Sequence, residues 1–264
     1  MQTQSNQDRS LEGKTAIITG STLGIGAAIA RTFAEHGASV VVHGLEKDQG
    51  ERLAGSLQAM GADAMFLSGD LREESDCRDI IRRGVERFGK LDILVNNAAI
   101  YPRGNLETTT VELWDRVFAV NLRAPFILCQ EAVKYMKERR EGCIINIGSM
   151  NSYVGLPKVF AYSAAKGGLT NMTRNLANQL KQYRIRVNQV NPGWALTEGE
   201  HHVQTVVEGR GENWVQEAEK KLPFGRLQSP EEIGRAVWFI ATSDSITGTV
   251  LDYSQFIVGA PVEV

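Results

Sequence analysis

The sequence predicts a single α/β domain built as a doubly wound parallel sheet with helices on both faces. Three observations predict it. Short runs rich in β-branched residues, such as Lys14–Thr19 (KTAIIT) and Ser39–His43 (SVVVH), alternate with stretches of helical length up to about residue 252. The runs are apolar throughout instead of alternating with polar residues, as strands covered on both faces are. No internal repeat, low-complexity tract or interdomain linker interrupts the alternation, so one sheet takes all the strands.

Composition narrows the class. The 264 residues are 42% hydrophobic and carry a net charge of −2, which suits a large core and gives no electrostatic reason to bind nucleic acid or membrane. No apolar run reaches the length of a membrane span. The cysteines, Cys77, Cys129 and Cys143, are odd in number, widely spaced and form no CxxC pair. They read as reduced, buried thiols of a cytoplasmic protein. Residues 1–12 are polar, lack the apolar stretch of a signal peptide and are expected to form a disordered leader to a domain spanning 13–264.

The elements follow in order. Lys14–Thr19 runs into Gly20-Ser21-Thr22-Leu23-Gly24-Ile25-Gly26 and then an alanine-rich helix to about His36. Strand, glycine loop and helix form a dinucleotide-binding layout, because glycines allow a tight turn and close approach while the helix N-terminus faces a pyrophosphate. The spacing is G-x-x-x-G-x-G, not G-x-G-x-x-G, and a turn that merely packs closely would read the same way. Gly13-Lys14-Thr15 looks like the end of a P-loop, but Asp8 stands at the first glycine position and the triplet precedes a strand. It is rejected.

Ser39–His43 is followed by Gly44-Leu45-Glu46 and a helix to about Met60. Ala62–Ser68 ends at Gly69-Asp70-Leu71. Asp70 lies where an adenine would sit, and serves equally well as the N-cap of a segment starting near Arg72. Leu91–Val95 leads into Asn96-Asn97-Ala98-Ala99, short side chains that let a ligand approach and amides that tie strand ends together. Thr110–Val120 and Asn121–Arg140 read as helices meeting at Asn121, with Pro125 in a first turn. Cys143–Gly148 is a strand that delivers Ser149, and a helix to about Gln182 carries Tyr162 and Lys166. Gly167 and Gly168 inside it point to close packing, including against another subunit. Asn171-Met172-Thr173 matches a glycosylation sequon but lies on a helix in a chain without a signal, and is discounted. Ile185–Val190 ends in Asn191-Pro192-Gly193-Trp194-Ala195-Leu196-Thr197. Residues 194–224 hold no core strand and are expected to form a substrate lid. Pro230–Thr242 is a helix and Thr249–Asp252 the last strand.

The chemistry concentrates at Tyr162 and Lys166, four apart and so on one helix face, with Ser149 upstream. A tyrosine with a pKa of about 10 becomes a base near pH 7 only if the anion gains about 4 kcal/mol. A cation ~6 Å away supplies roughly 3 kcal/mol at an effective dielectric of ~20. Lys166 is expected to do most of this, and the oxidised nicotinamide ring the rest. Ser149 offers a hydroxyl to hold a substrate oxygen. This is alcohol–carbonyl chemistry with Tyr162 as acid/base.

The ordered set Thr19-Gly20-x-x-x-Gly24-Ile25-Gly26, Asp70, Asn96-Asn97-Ala98, Asn121, Ser149, Tyr162-x-x-x-Lys166 and Pro192-Gly193-x-x-x-Thr197 resembles the short-chain dehydrogenase/reductase family over roughly residues 12–252. The resemblance implies that Gly20, Gly24, Ile25 and Gly26 wrap the pyrophosphate, Asp70 contacts adenine, and Asn97 and Ala98 line the adenosine ribose side. Tyr162 would be the acid/base, and Lys166 would hold the nicotinamide ribose and lower the tyrosine pKa. Asn121 would bind a relay water through its backbone carbonyl. Ala195 and Thr197, on the loop opened by Pro192 and Gly193, would hold the carboxamide. It also implies pairing of the helices from Asn121 and Tyr162 across a two-fold axis in a homodimer or homotetramer, with Phe126, Leu128, Cys129, Leu169, Met172 and Leu176 as the apolar positions. The chain departs from the family pattern at Ala99, at Asp252-Tyr253-Ser254 and after the second strand. There Gly44 replaces the aspartate of many NAD enzymes and Leu45 the arginine of many NADP enzymes, and Leu23 occupies another position often basic for NADP. A phosphate without a cation is costly to bury, so the cofactor is expected to be NAD, with NADP second.

Other classes fit less well. Ile147 breaks the G-x-S-x-G of a serine hydrolase, and adjacent His201-His202 lack the spacing of a zinc site, so no metal is expected. A dinucleotide sensor on the same fold need not keep Ser149, Asn121, Tyr162 and Lys166 together. Among enzymes the second reading is an NADPH-dependent 3-oxoacyl-thioester reductase. The lid residues Trp194, Glu198, Glu200, His201, His202 and Trp214, with Tyr101, Arg103, Asn151 and Tyr153 near them, mix aromatic and polar groups. They favour a small sugar or polyol, with Ser149, Asn151 and Trp194 as substrate contacts.

Overall fold

A computed structural model describes residues 8–258. Seven strands, β1 (Thr15–Ile18), β2 (Ser39–Gly44), β3 (Ala64–Ser68), β4 (Ile93–Asn96), β5 (Gly142–Ile147), β6 (Ile185–Pro192) and β7 (Val250–Tyr253), form one parallel sheet in the order β3-β2-β1-β4-β5-β6-β7. The winding reverses between β1 and β4, which opens a crevice at their C-terminal ends. Among the described residues nine α-helices surround the sheet: α1 (Gly24–Glu35), α2 (Lys47–Ala59), α3 (Glu74–Phe88), α4 (Val111–Phe118), α5 (Ala124–Arg139), α6 (Phe160–Leu180), α7 (Glu198–His202), α8 (Trp214–Glu219) and α9 (Pro230–Thr242). The fold is thus the Rossmann-like α/β sheet that the strand–helix alternation predicts.

The continuous apolar strands divide their side chains between two cores. Ala16, Ile18, Val40 and Val42 face Ile29 and Phe33 of α1 and Ile233 and Val237 of α9. Ile17 and Val41, one residue out of phase, face Ile80 and Ile81 of α3 and Leu128 and Ala132 of α5. The three cysteines are free and buried, and burial pushes Cys77 and Cys143 to about 11 and Cys129 to about 12, which makes them inert thiols.

The structure refines several expectations and corrects others. Residues 1–7 of the leader lie outside the described residues, but Leu11 is buried and its N–H donates to His36 O at 3.0 Å, so the ordered domain starts before residue 13. The junction at Asn121 is a π-turn, Ala119–Arg123, inserted between α4 and α5. Gly168 packs against its own chain: a Cβ there would lie 2.9 Å from Leu122 Cδ2. Leu128, Cys129 and Leu169 point into the chain's own core, which leaves Phe126, Met172 and Leu176 on the outer side of α5 and α6. The segment 194–224 contains α7, a π-turn at Val203–Val207 and α8, and Trp214, Ala218 and Leu222 give it a small core of its own with Leu227.

Candidate active site

The glycine loop closes the crevice at the end of β1. Gly20 has φ +59°, and a Cβ on it would fall 2.7 Å from Ala98 Cα. A Cβ on Gly26 would meet Gly20 O at 2.3 Å and Asn97 Nδ2 at 2.5 Å. Only hydrogen fits at either position, so the loop lies flat against the end of β4. Asn97 holds it there, its Nδ2 donating to Thr19 O at 2.9 Å and Gly20 O at 2.8 Å. Leu23 caps α1 in extended conformation without a side-chain hydrogen bond. The first N–H groups of α1, with Ile25 in that turn, therefore face the crevice uncapped. A flat glycine loop opening an uncapped helix fits a dinucleotide pyrophosphate.

The end of β2 has an unexpected arrangement. Gly44 has no room for a side chain, since a Cβ would lie 2.5 Å from Thr22 Cγ2. Glu46 turns back over it, and Thr22 Oγ1 donates to Glu46 Oε2 at 2.9 Å. Leu45 is 61% exposed. His43 lies buried beneath, and burial lowers its pKa to about 4. The neutral ring accepts from Gly20 N–H at Nδ1 (3.3 Å) and donates from Nε2 to Gly69 O (3.1 Å). It thereby ties the glycine loop to the loop after β3. Asp70, on that loop, is paired with Arg72, whose guanidinium and backbone N–H hold its carboxyl below the usual range. It does not cap α3, which starts at Glu74 with Glu73 at its cap.

Ser149 follows β5 after the single residue Gly148, and its Oγ accepts from the N–H of Asn151 at 3.1 Å. Register places Ile147 beside Val190, so β6 brings Pro192 and Gly193 to the same edge. Across the gap, α6 presents Tyr162 and Lys166 one turn apart, with Nζ 5.6 Å from the tyrosine ring centroid. Nζ donates to Ile147 O at 2.7 Å. Asn121 sits in the π-turn, with Nδ2 donating to Ile100 O (2.8 Å) and Val117 O (3.0 Å) while Oδ1 accepts from Ile100 N–H (3.1 Å). A π-turn displaces the backbone from the helical ladder at this point.

The electrostatics differ from expectation. Burial pushes Tyr162 up to about 12; the Ser149 hydroxyl opposes this, while Tyr101 and Glu200 reinforce it. Burial also lowers Lys166 to about 7. Burial outweighs every other influence at both groups, so the chain by itself does not bring the tyrosine into the neutral range.

Beneath the site runs a ladder of buried amides and hydroxyls that sequence reasoning missed. Asn96 Nδ2 donates to Asn146 Oδ1 (2.8 Å), and Asn146 Nδ2 to Thr173 Oγ1 (2.8 Å). Thr173 Oγ1 lies 3.1 Å from Gln189 Oε1. Gln189 Nε2 donates to Thr170 Oγ1 and Asn191 Oδ1 (2.7 Å each), and Asn191 Nδ2 to Asp252 Oδ1 (2.8 Å). A Cβ on Gly148 would sit 2.0 Å from Asn191 Oδ1, so this glycine makes room for the ladder just before Ser149. The available signal was Asn188, Gln189 and Asn191 inside a strand otherwise buried and apolar.

The segment 194–224 joins the site at Thr197. Its Oγ1 accepts from Glu200 N–H (3.0 Å) to cap α7, and its Cγ2 lies 3.3 Å from where a Cβ on Gly24 would be. Ala195 bridges to Gln228, and Gly193 N–H donates to Tyr253 O and Gln228 Oε1 (2.8 Å each), which anchors the turn after β7. Trp194 turns toward Glu200, its Nε1 donating to Oε1 at 2.8 Å. Tyr101 stands edge-on to Tyr162 with centroids 5.9 Å apart. His201 Nδ1 accepts from Trp214 Nε1 at 3.0 Å, and no group of three or more metal-ligating side chains occurs among the described residues.

Comparison with known proteins places this geometry. The sequence pattern of the short chain dehydrogenase family matches residues 14–207. An uncharacterized oxidoreductase of Thermotoga maritima is 37% identical over 243 residues, 91% of this chain and 96% of that protein. An NADP-dependent (R)-specific alcohol dehydrogenase of Lentilactobacillus kefiri is 35% identical over 247 residues, covering 92% and 95%. A solved variant of a Serratia marcescens short-chain dehydrogenase/reductase superposes with a TM-score of 0.84 at 32% identity, covering 93% of this chain and 98% of that one.

Proposed function

Because the chain belongs to the short-chain dehydrogenase/reductase family, we propose that it is a cytoplasmic, NAD-dependent oxidoreductase interconverting a secondary alcohol, a sugar or polyol among them, and its ketone. The observation that carries this is the meeting of Ser149, Tyr162 and Lys166 at the sheet edge beside the uncapped glycine loop.

In the oxidising direction Ser149 Oγ and Tyr162 Oη hold the substrate hydroxyl. Tyr162 takes the hydroxyl proton as the carbinol carbon loses hydride and its C–O bond becomes a carbonyl. A bound nicotinamide would supply the hydride acceptor and a positive charge favouring the phenolate. Lys166, anchored on Ile147 O, holds the ribose side and adds its share of charge. Excess protons pass toward the π-turn at Asn121, and closure of residues 194–224 excludes water.

NAD is favoured by the end of β2. Glu46 is folded over Gly44 onto Thr22, where it would accept from a 2′-hydroxyl and repel a 2′-phosphate. The L. kefiri relative is named as NADP-dependent, but here both Leu23 and Leu45 lack the cation a phosphate needs. Pairing of two chains is supported by the groove on α5 and α6 lined by Leu122, Phe126, Met172 and Leu176.

The test is purified protein with NAD and a panel of secondary alcohols, read at the absorbance of the reduced nicotinamide. Tyr162→Phe is expected to lower turnover by ~10²–10⁴ with NAD affinity kept within a few-fold. Retention of more than about a tenth of the wild-type rate would falsify the role of Tyr162.

A further inference from the structure

Glu200 stands in the first turn of α7 with its carboxylate aimed by two donors. Trp194 Nε1 (2.8 Å) and Gln204 Nε2 (2.7 Å) both bind Oε1, while no hydrogen bond to Oε2 comes from the described residues. The turn that carries it lies beside Tyr101. A Cβ on neighbouring Gly199 would lie 3.8 Å from Tyr101 Oη, and the Tyr101 ring packs edge-on against Tyr162. The negative charge of Glu200 is felt by both phenols, and it raises the pKa of each. Arg103, whose charge reaches Tyr101, is engaged elsewhere: its Nε binds Glu208 Oε1 at 2.6 Å, and Lys158 Nζ binds the other oxygen at 3.0 Å. Among the described residues Glu200 has no ion pair.

Alone, this arrangement opposes the chemistry, since a carboxylate near Tyr162 disfavours the phenolate that takes the proton. The conflict resolves if the substrate itself brings a donor. A hydrogen bond to Oε2 would satisfy the oxygen and draw charge away from the phenol.

We propose that Glu200 selects the substrate by accepting, at Oε2, a hydrogen bond from a second hydroxyl or an ammonium on a carbon neighbouring the one oxidised. The enzyme therefore takes vicinal diols and amino alcohols and turns away anionic hydroxy acids. The proposal rests on the reading of Tyr162 as the base of alcohol oxidation. Hydride still leaves the carbinol carbon for the nicotinamide and the proton still goes to Tyr162; Glu200 makes and breaks no covalent bond.

The test compares kcat/KM with NAD for 2-butanol, 2,3-butanediol, 3-amino-2-butanol and 3-hydroxybutyrate. The diol and the amino alcohol should exceed 2-butanol by about tenfold to a hundredfold, the range for a hydrogen bond to a charged group, and the hydroxy acid should fall below it. Glu200→Gln keeps a carbonyl for Trp194 and Gln204, and should shrink the diol-to-butanol ratio by about tenfold while raising the hydroxy acid relative to 2-butanol. A wild-type preference for the hydroxy acid, or an unchanged ratio in the variant, overturns the proposal. If the variant does not fold, the charge order of the wild-type substrates decides alone. Oxidation of all four at equal efficiency overturns the proposal and leaves the alcohol reading standing. Oxidation of none overturns the alcohol reading, and the proposal with it.

Discussion

Replacing Lys166 by Met should stabilise the protein in mild acid, much less so in alkali, and end its activity. The wild-type side chain is buried, and burial brings its pKa to about 7 from an ordinary 10.5. Below about pH 7 the ammonium is charged in both folded and unfolded chains, and the folded chain bears the full cost of desolvating it. A gap of that size corresponds to about 5 kcal/mol. Between about 7 and 10.5 the unfolded lysine stays protonated while the folded one has released its proton. The unfolded state then binds more protons, so wild-type stability rises with pH across this window, and the penalty vanishes near its top. At about pH 9 roughly 2 kcal/mol of it remains. Methionine keeps the apolar stem and removes the titrating group. It also strands Ile147 O, now bound at 2.7 Å, at a cost of ~1–3 kcal/mol that does not depend on pH. The advantage of Lys166→Met over wild type should therefore shrink by about 3 kcal/mol between pH 6 and pH 9. Urea denaturation without added cofactor, at constant ionic strength, measures it. A difference that stays constant within about 1 kcal/mol would show that Lys166 is solvated or paired in the folded chain, and would refute the electrostatics given for the site.

Two further outcomes follow from the site and from the outer face of α5 and α6. Leu45→Arg should raise kcat/KM for NADP relative to NAD by about tenfold, since one unit charge ~5 Å from a phosphate of about −2 is worth roughly 1.5 kcal/mol even at the dielectric of water; direct titration of each cofactor checks it, and an unchanged ratio would mean that this loop does not reach the ribose. The wild-type chain should scatter light as a dimer or tetramer at micromolar concentration, and Phe126→Glu, which puts a charge at a position 49% exposed in the single chain, should shift it toward monomer; a wild-type monomer would remove the case for pairing through α5 and α6.

Much of this architecture was legible in the sequence because its signals are local. The strand–glycine loop–helix at residues 14–36 needs only neighbours in the chain to be recognised. The i, i+4 spacing of Tyr162 and Lys166 places them on one helix face whatever lies opposite. Continuous apolar strands imply cover on both faces, and the two cores divided by Ile17 and Ile18 are that cover. The site residues named from the sequence do gather along the C-terminal edge, from Gly20 through Asn97 and Ser149 to Thr197, because a parallel sheet brings all its strand ends to one side.

What the sequence could not decide depends on pairs far apart in the chain. Whether Asp70 caps a helix or pairs with Arg72 turned on where α3 begins. Whether Glu46 faces solvent or the glycine loop turned on Thr22, 24 positions away. The outer face of α5 and α6 was misassigned at Leu128, Cys129 and Leu169 because helical spacing marks an apolar stripe without saying which neighbour covers it. Most consequential is the electrostatic balance. The same spacing that puts Lys166 beside Tyr162 says nothing about how much water each has lost. Charge–charge attraction can be read from a spacing, whereas desolvation is a property of everything packed around the pair, and at this site desolvation is the larger effect.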